Sequence, residues 1–91
     1  MSSTLILQQE TVPIVKSSLE MKRKALEFSL QKYSERLAAF ERQYGMDSAE
    51  FWSRFEAGEL GDDADWFEWQ YLLDAYRETQ RQLKLISTIL L

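Results

Sequence analysis

The chain has 91 residues, 45% of them apolar, with three Trp, four Tyr and five Phe; this supports one small folded domain whose limited core invites a second copy or a partner. It contains no Cys and no His, which excludes disulfides, thiolate chemistry, imidazole triads and imidazole metal ligation, and with them most familiar catalytic arrangements. The formal net charge of −4 lacks the strong basic bias of a nucleic-acid footprint, so direct nucleic-acid binding by this chain alone is not expected.

Residues 1–14 read as an extended N-terminal arm. The stretch from Thr4 to Val12 is rich in aliphatic and β-branched residues and runs into Pro13, which resists continuation of regular structure. Such an arm is either a strand that must pair with something else or a frayed terminus. Its apolar run Leu5-Ile6-Leu7 has no basic stretch before it and is far shorter than a membrane span, so a soluble cytoplasmic protein with no membrane association is expected.

A helical domain is predicted over 15–91, with helices at about 15–44, 48–57 and 64–89. The first segment lacks Gly and Pro and carries Leu26, Leu30, Tyr33, Leu37, Phe40 and Tyr44 at alternating spacings of four and three, with Leu19 one heptad earlier. At 1.5 Å per residue it spans about 40 Å or slightly more. Gly45 suits the left-handed position that stops a helix. Asp47 and Glu50 fit a capping box for a short helix with Phe51, Trp52 and Phe55 on its apolar face, and Gly58 ends it. After an acidic turn, Asp62 or Asp65 is the expected N-cap of the third helix, the latter with Glu68 completing a second box.

The third helix places Trp69, Leu72, Tyr76, Leu83, Ile86 and Leu90 in a heptad pattern that Thr79 interrupts. One antiparallel register satisfies both stripes. It matches Leu19 with Leu90, Leu26 with Leu83, Tyr33 with Tyr76, Leu37 with Leu72 and Phe40 with Trp69. The expected fold is therefore all-α, an antiparallel hairpin of two long helices with the short helix across its closed end. Phe28, Leu85 and Ile89 fall off the seam near the open end, where the arm also enters. They need another surface, either a second copy in a homodimer, the arm folding back, or a different partner.

Charge is unevenly distributed. Residues 16–42 hold Lys16, Lys22, Arg23, Lys24, Lys32, Arg36 and Arg42 against four acidic residues, whereas residues 47–68 hold Asp47, Glu50, Glu56, Glu59, Asp62, Asp63, Asp65 and Glu68 against Arg54 alone. The group Asp62, Asp63, Asp65 and Glu68 has carboxylates suited to a hard cation but not the spacing of an EF-hand loop, and charges at a helix start are more often caps, so no metal is assigned. Nothing supplies the pocket that a paired-carboxylate hydrolase needs. Trp52, Trp66 and Trp69 surround the acidic turn and read as a small aromatic core rather than a base-stacking platform, since the carboxylates would repel phosphates. The acidic end suits a basic protein, such as the positive cleft of an RNA-cleaving toxin. The run Lys22-Arg23-Lys24 reads as a solvated helix face.

The stretch Phe40-Glu41-Arg42-Gln43-Tyr44-Gly45-Met46-Asp47-Ser48-Ala49-Glu50-Phe51, followed by Arg54-Phe55-Glu56-Ala57-Gly58-Glu59-Leu60-Gly61-Asp62-Asp63, resembles a group of small helical prokaryotic proteins that look like antitoxins encoded beside a toxin. The resemblance covers roughly residues 35–76. Asp47 stands where the pattern has Ser or Thr, an equally good cap. The resemblance implies a non-enzymatic module that neutralises a cognate toxin by protein–protein contact, and it brings no catalytic residue and no cofactor. The candidate partner-binding residues are Leu5, Ile6, Leu7 and Val12 of the arm with Phe28, Leu85 and Ile89, and a second candidate patch is Asp62, Asp63 and Asp65. The competing expectation is a self-associating structural or adaptor hairpin with no toxin involved.

Overall fold

The computed structural model describes residues 9–89. They form three α-helices, α1 (Val12–Tyr44), α2 (Ser48–Glu56) and α3 (Ala64–Ile89), and no strand occurs among the described residues. The two long helices pack against each other. Their direction is antiparallel, because a later position of α1 reaches earlier positions of α3: Phe40 stacks on Trp69, whereas Tyr44, one turn on, meets Asp65 and Trp66. The Phe40–Trp69 pair is one that the heptad register requires. Leu37, Leu72, Tyr33 and Tyr76 of that register all pack in or against the same core.

The first helix begins earlier than its composition suggests. Val12, Pro13 and Ile14 belong to α1 rather than to an extended arm, and Thr11 is its N-cap. Pro13 sits in the first turn, where its missing N–H is not needed and its fixed φ favours the helix, so the proline starts this helix instead of holding it off. Leu5, Ile6 and Leu7 lie outside the described residues.

Both connections are set by local chemistry. Gly45 adopts φ 65° and its N–H donates to the Glu41 carbonyl at 2.9 Å, the left-handed stop that ends α1. Two residues on, Asp47 accepts a hydrogen bond from the Glu50 N–H at 2.8 Å. The reciprocal half of the box is not made by Glu50, whose carboxylate turns to Arg54 at 3.1 Å. Glu41 reaches over from α1 instead and accepts from the Ser48 N–H at 2.7 Å. Two carboxylates thus cap the start of α2. For α3 the cap is Asp63, which accepts from the Asp65 N–H at 2.9 Å, rather than Asp62 or Asp65. Glu68 forms no second box, because Arg36 of α1 holds it at 2.8 Å.

The core is concentrated at the closed end. Trp69, Phe51 and Leu72 are fully buried, with Leu37, Phe40 and Leu73 beside them. Toward the open end burial thins to Leu26, Ile86 and Thr79. Thr79, which breaks the apolar pattern, is buried nonetheless, and its hydroxyl donates to the Ala75 carbonyl one turn back at 2.8 Å, so the polar group is satisfied within its own helix. The result is a slender body measuring 55 × 31 × 20 Å, with a radius of gyration of 18.3 Å where a compact chain of this length would have about 12 Å.

Candidate interaction surface

The aromatic cluster beside the acidic turn is a plug. Trp69 lies between Phe51, stacked at 4.2 Å with an interplanar angle of 1°, and Phe40, stacked at 5.4 Å. Its indole N–H donates to the Ser48 hydroxyl at 3.0 Å, so the ring is both packed and satisfied. Trp66 packs on Tyr44 at 4.6 Å. This arrangement fastens α2 across the end of the hairpin and leaves Trp69 and Phe51 no face for a ligand.

Two of the three aspartates of the second candidate patch are occupied structurally. Asp63 caps α3, and Asp65 accepts the hydroxyl proton of Tyr44. That hydrogen bond, followed by burial and by the charges of Asp65 and Asp63, pushes the Tyr44 phenol up from 10.0 to about 12. Asp62 is exposed in the turn. Among the described residues no group of three or more His, Cys, Asp or Glu side chains is placed to hold a metal ion. The shallow cleft between α1 and α3 on this side, lined by Arg36, Ala39, Phe40, Gln43, Asp65 and Glu68, is spanned by the Arg36–Glu68 ion pair.

The off-seam apolar residues are exposed. Phe28 is 62% and Ile89 63% exposed, and Val12 and Leu85 are each about half exposed. They do not form one patch. Phe28 stands two residues from the buried Leu26, about 200° around the helix, so it points away from α3. Leu85 and Ile89 belong to α3, with Leu85 next to the buried Ile86. Lys32 lies over the Phe28 ring at 5.3 Å from its centroid. On this half of α1 the Nε of Arg23 is buried without a hydrogen bond, 3.7 Å from Glu27.

Four further exposed apolar residues complete these faces and were not singled out by the seam pattern. Ile14 and Met21 precede Phe28 at intervals of one heptad, which puts all three on the outer face of α1. On α3, Phe67 and Tyr71 are each about half or more exposed and lie five full turns before Leu85 and Ile89 respectively, so all four share that helix's outer face. The signal was present in the sequence as a second periodicity on each helix, masked by the stronger seam. Between the two apolar ends of the α3 face, Glu78 bonds Arg81 at 2.6 and 2.8 Å and Gln82 at 2.8 Å, and these donors, Arg81 first, bring its carboxyl down from 4.5 to about 2.

Comparison of the chain with protein families, with curated proteins and with solved structures gives no match. Among the described residues, no helix is long and apolar enough to cross a membrane.

Proposed function

We propose that the chain is an antitoxin-type protein that binds and neutralises a cognate toxin through protein–protein contact, without catalysis of its own. The observation that carries this reading is the apolar surface left open on a folded hairpin: Phe28 of α1 and Leu85 and Ile89 of α3 are exposed where the internal core has already thinned. Scattered apolar residues are ordinary on a surface, but periodic stripes on the outer faces of both helices need a cover. A partner that grips the open half would bury Phe28 on one side and Leu85 and Ile89 on the other. The choice of a toxin as that partner rests on the motif from Glu41 to Asp63, which builds the α1–α2 connection, the α2 cap and the turn before α3.

The test is co-expression of the chain with the product of the adjacent gene. A stable complex, with growth restored when the neighbour alone is toxic, is the expected result. Replacing Phe28, Leu85 and Ile89 together by Ser is expected to abolish both while leaving the helical circular dichroism intact. No complex and no rescue by the wild-type chain would remove the antitoxin reading. The other reading, a self-associating hairpin, is favoured by the heptad spacing of Ile14, Met21 and Phe28 and predicts a dimer by light scattering, which the same triple substitution would dissociate.

A further inference from the structure

The closed end carries a face that neither the core nor the open-end contact uses. Phe67 is 51% and Tyr71 60% exposed, one turn apart on the outer face of α3. Phe55 of α2 meets Phe67 edge-on at 5.7 Å and Trp52 at 6.2 Å, so the aromatic surface continues from α3 onto α2. The carboxylates that chain position places beside it are exposed and not paired with a described cation: Glu56 follows Phe55, and Asp74 lies one turn after Tyr71. On α2 and on α3 as far as Arg77 the two basic residues are engaged, Arg54 with Glu50 at 3.1 Å and Arg77 with the Trp52 ring at 5.1 Å.

We infer that this face, built on Phe67, Tyr71 and Phe55 within a rim of carboxylates, docks an arginine-bearing basic segment of a partner protein. A guanidinium is the group that satisfies both components, since it stacks on an aromatic ring and forms charge-assisted hydrogen bonds to carboxylates in the same plane. Arg77 over Trp52 is an example of that stacking already present on the molecule. A second copy of the chain is a poor donor of such a segment. Of its arginines, Arg23, Arg36, Arg54, Arg77 and Arg81 are each paired internally with a carboxylate or a ring, which leaves Arg42. The face therefore calls for a different, basic protein. The inference rests on the proposed function only in taking the partner to be a protein, and it places a second contact at the end of the hairpin opposite to Phe28, Leu85 and Ile89.

The experiment uses the full chain with a fluorescently labelled oligoarginine peptide and an oligolysine peptide of the same length, followed by anisotropy. The arginine peptide is expected to bind more tightly than the lysine peptide, and the combined Phe67→Ala and Tyr71→Ala substitutions to weaken it about tenfold or more, the range typical of losing aromatic anchors. Both rings are exposed, so the variant is expected to keep the fold, which circular dichroism verifies. Leu85→Ala with Ile89→Ala is expected to leave peptide binding unchanged. Equal binding of the two peptides, or binding indifferent to loss of the two rings, would overturn the inference by reducing the face to diffuse negative charge. Light scattering that shows salt-sensitive self-association abolished by Phe67→Ala/Tyr71→Ala would overturn it as well, by giving the face to a second copy. Because the probe is a peptide and not the neighbouring gene's product, failure here and failure of the co-expression test are separate results.

Discussion

The two ends of the hairpin are built from the same two helices and are stabilised in different ways. At the closed end Trp69 and Phe51 are completely buried, α2 is capped by two carboxylates, Asp63 caps α3, and Tyr44 is bonded to Asp65. At the open end the helices bury Leu26, Ile86 and Thr79, while Phe28, Leu85 and Ile89 face outward. A third element is the difference. Two helices alone bury one stripe each, and only where α2 crosses them does a side chain such as Trp69 gain neighbours on both ring faces. The closed end buries its aromatic core within the chain, and the open end leaves apolar side chains exposed.

This contrast predicts unequal costs of truncation. Trp69→Ala removes a fully buried ring from between Phe51 and Phe40 and is expected to cost about 3–5 kcal/mol, most of what a domain this small has to lose. Urea denaturation of this variant should find it largely unfolded without denaturant. Ile86→Ala, at 8% exposure in the thinner half, is expected to cost about 2 kcal/mol, the low end for such truncations, because its surroundings are less complete. Equal losses from the two substitutions would break the comparison. Recovery of the Ile86→Ala loss on adding a partner, without recovery of Trp69→Ala, would sharpen it.

What the sequence made legible follows the same division. The closed-end seam residues Tyr33, Leu37, Phe40, Trp69, Leu72 and Tyr76, Gly45 as a stop and Asp47 as a cap are local signals with short-range causes, and the structure contains each of them, while Leu90 of the register lies outside the described residues. The start of α1 departs from the expected boundary because proline's effect reverses with position: inside a helix it removes a needed N–H, whereas in the first turn it removes one that has no partner anyway. The cap of α3 and the ties made by Glu41, Glu68 and Asp65 depend on which side chain crosses from α1, and that information is tertiary. Spacing identified Phe28, Leu85 and Ile89 as surplus to the seam. The same spacing sets Phe28 about 200° around the helix from the seam residue Leu26, away from α3, and the structure leaves it exposed. The exposure of Phe67 and Tyr71 is less legible in the sequence. They sit beside the tryptophans of the plug and look like part of it until α2 is placed.

Smaller changes probe how far the closed end depends on its connections. Gly45→Ala forces a side chain into φ 65° with open space around it, so the cost is backbone strain alone, about 1–2 kcal/mol. Asp47→Ala removes the acceptor for the Glu50 N–H and is expected to cost about 1 kcal/mol. Glu41 still caps through the Ser48 N–H, so Asp47→Ala combined with Glu41→Ala is expected to cost more than either change alone. Thermal unfolding of the four variants tests this. A double variant no worse than Asp47→Ala would show that the carboxylate from α1 contributes nothing to holding α2.

The smallest effect isolates the link between Tyr44 and Asp65. The folded state holds the Tyr44 phenol at about 12 against an ordinary 10.0, chiefly because its hydroxyl donates to Asp65 and a phenolate would lose that bond and face two aspartates. The folded value is raised, so the stabilisation is fully present below pH 10, declines as the pH rises past the unfolded value, and is gone above the folded one. Wild type and Tyr44→Phe should therefore differ in stability at neutral pH and converge between about pH 10 and 12. The difference between their ultraviolet titration curves reports Tyr44 alone among the four tyrosines and should centre near 12. Asp65→Ala should bring that midpoint back toward 10.0. A midpoint already near 10.0 in the folded wild type would mean that the hydrogen bond does not hold, and the closed end would then rest on the stacked rings and caps alone.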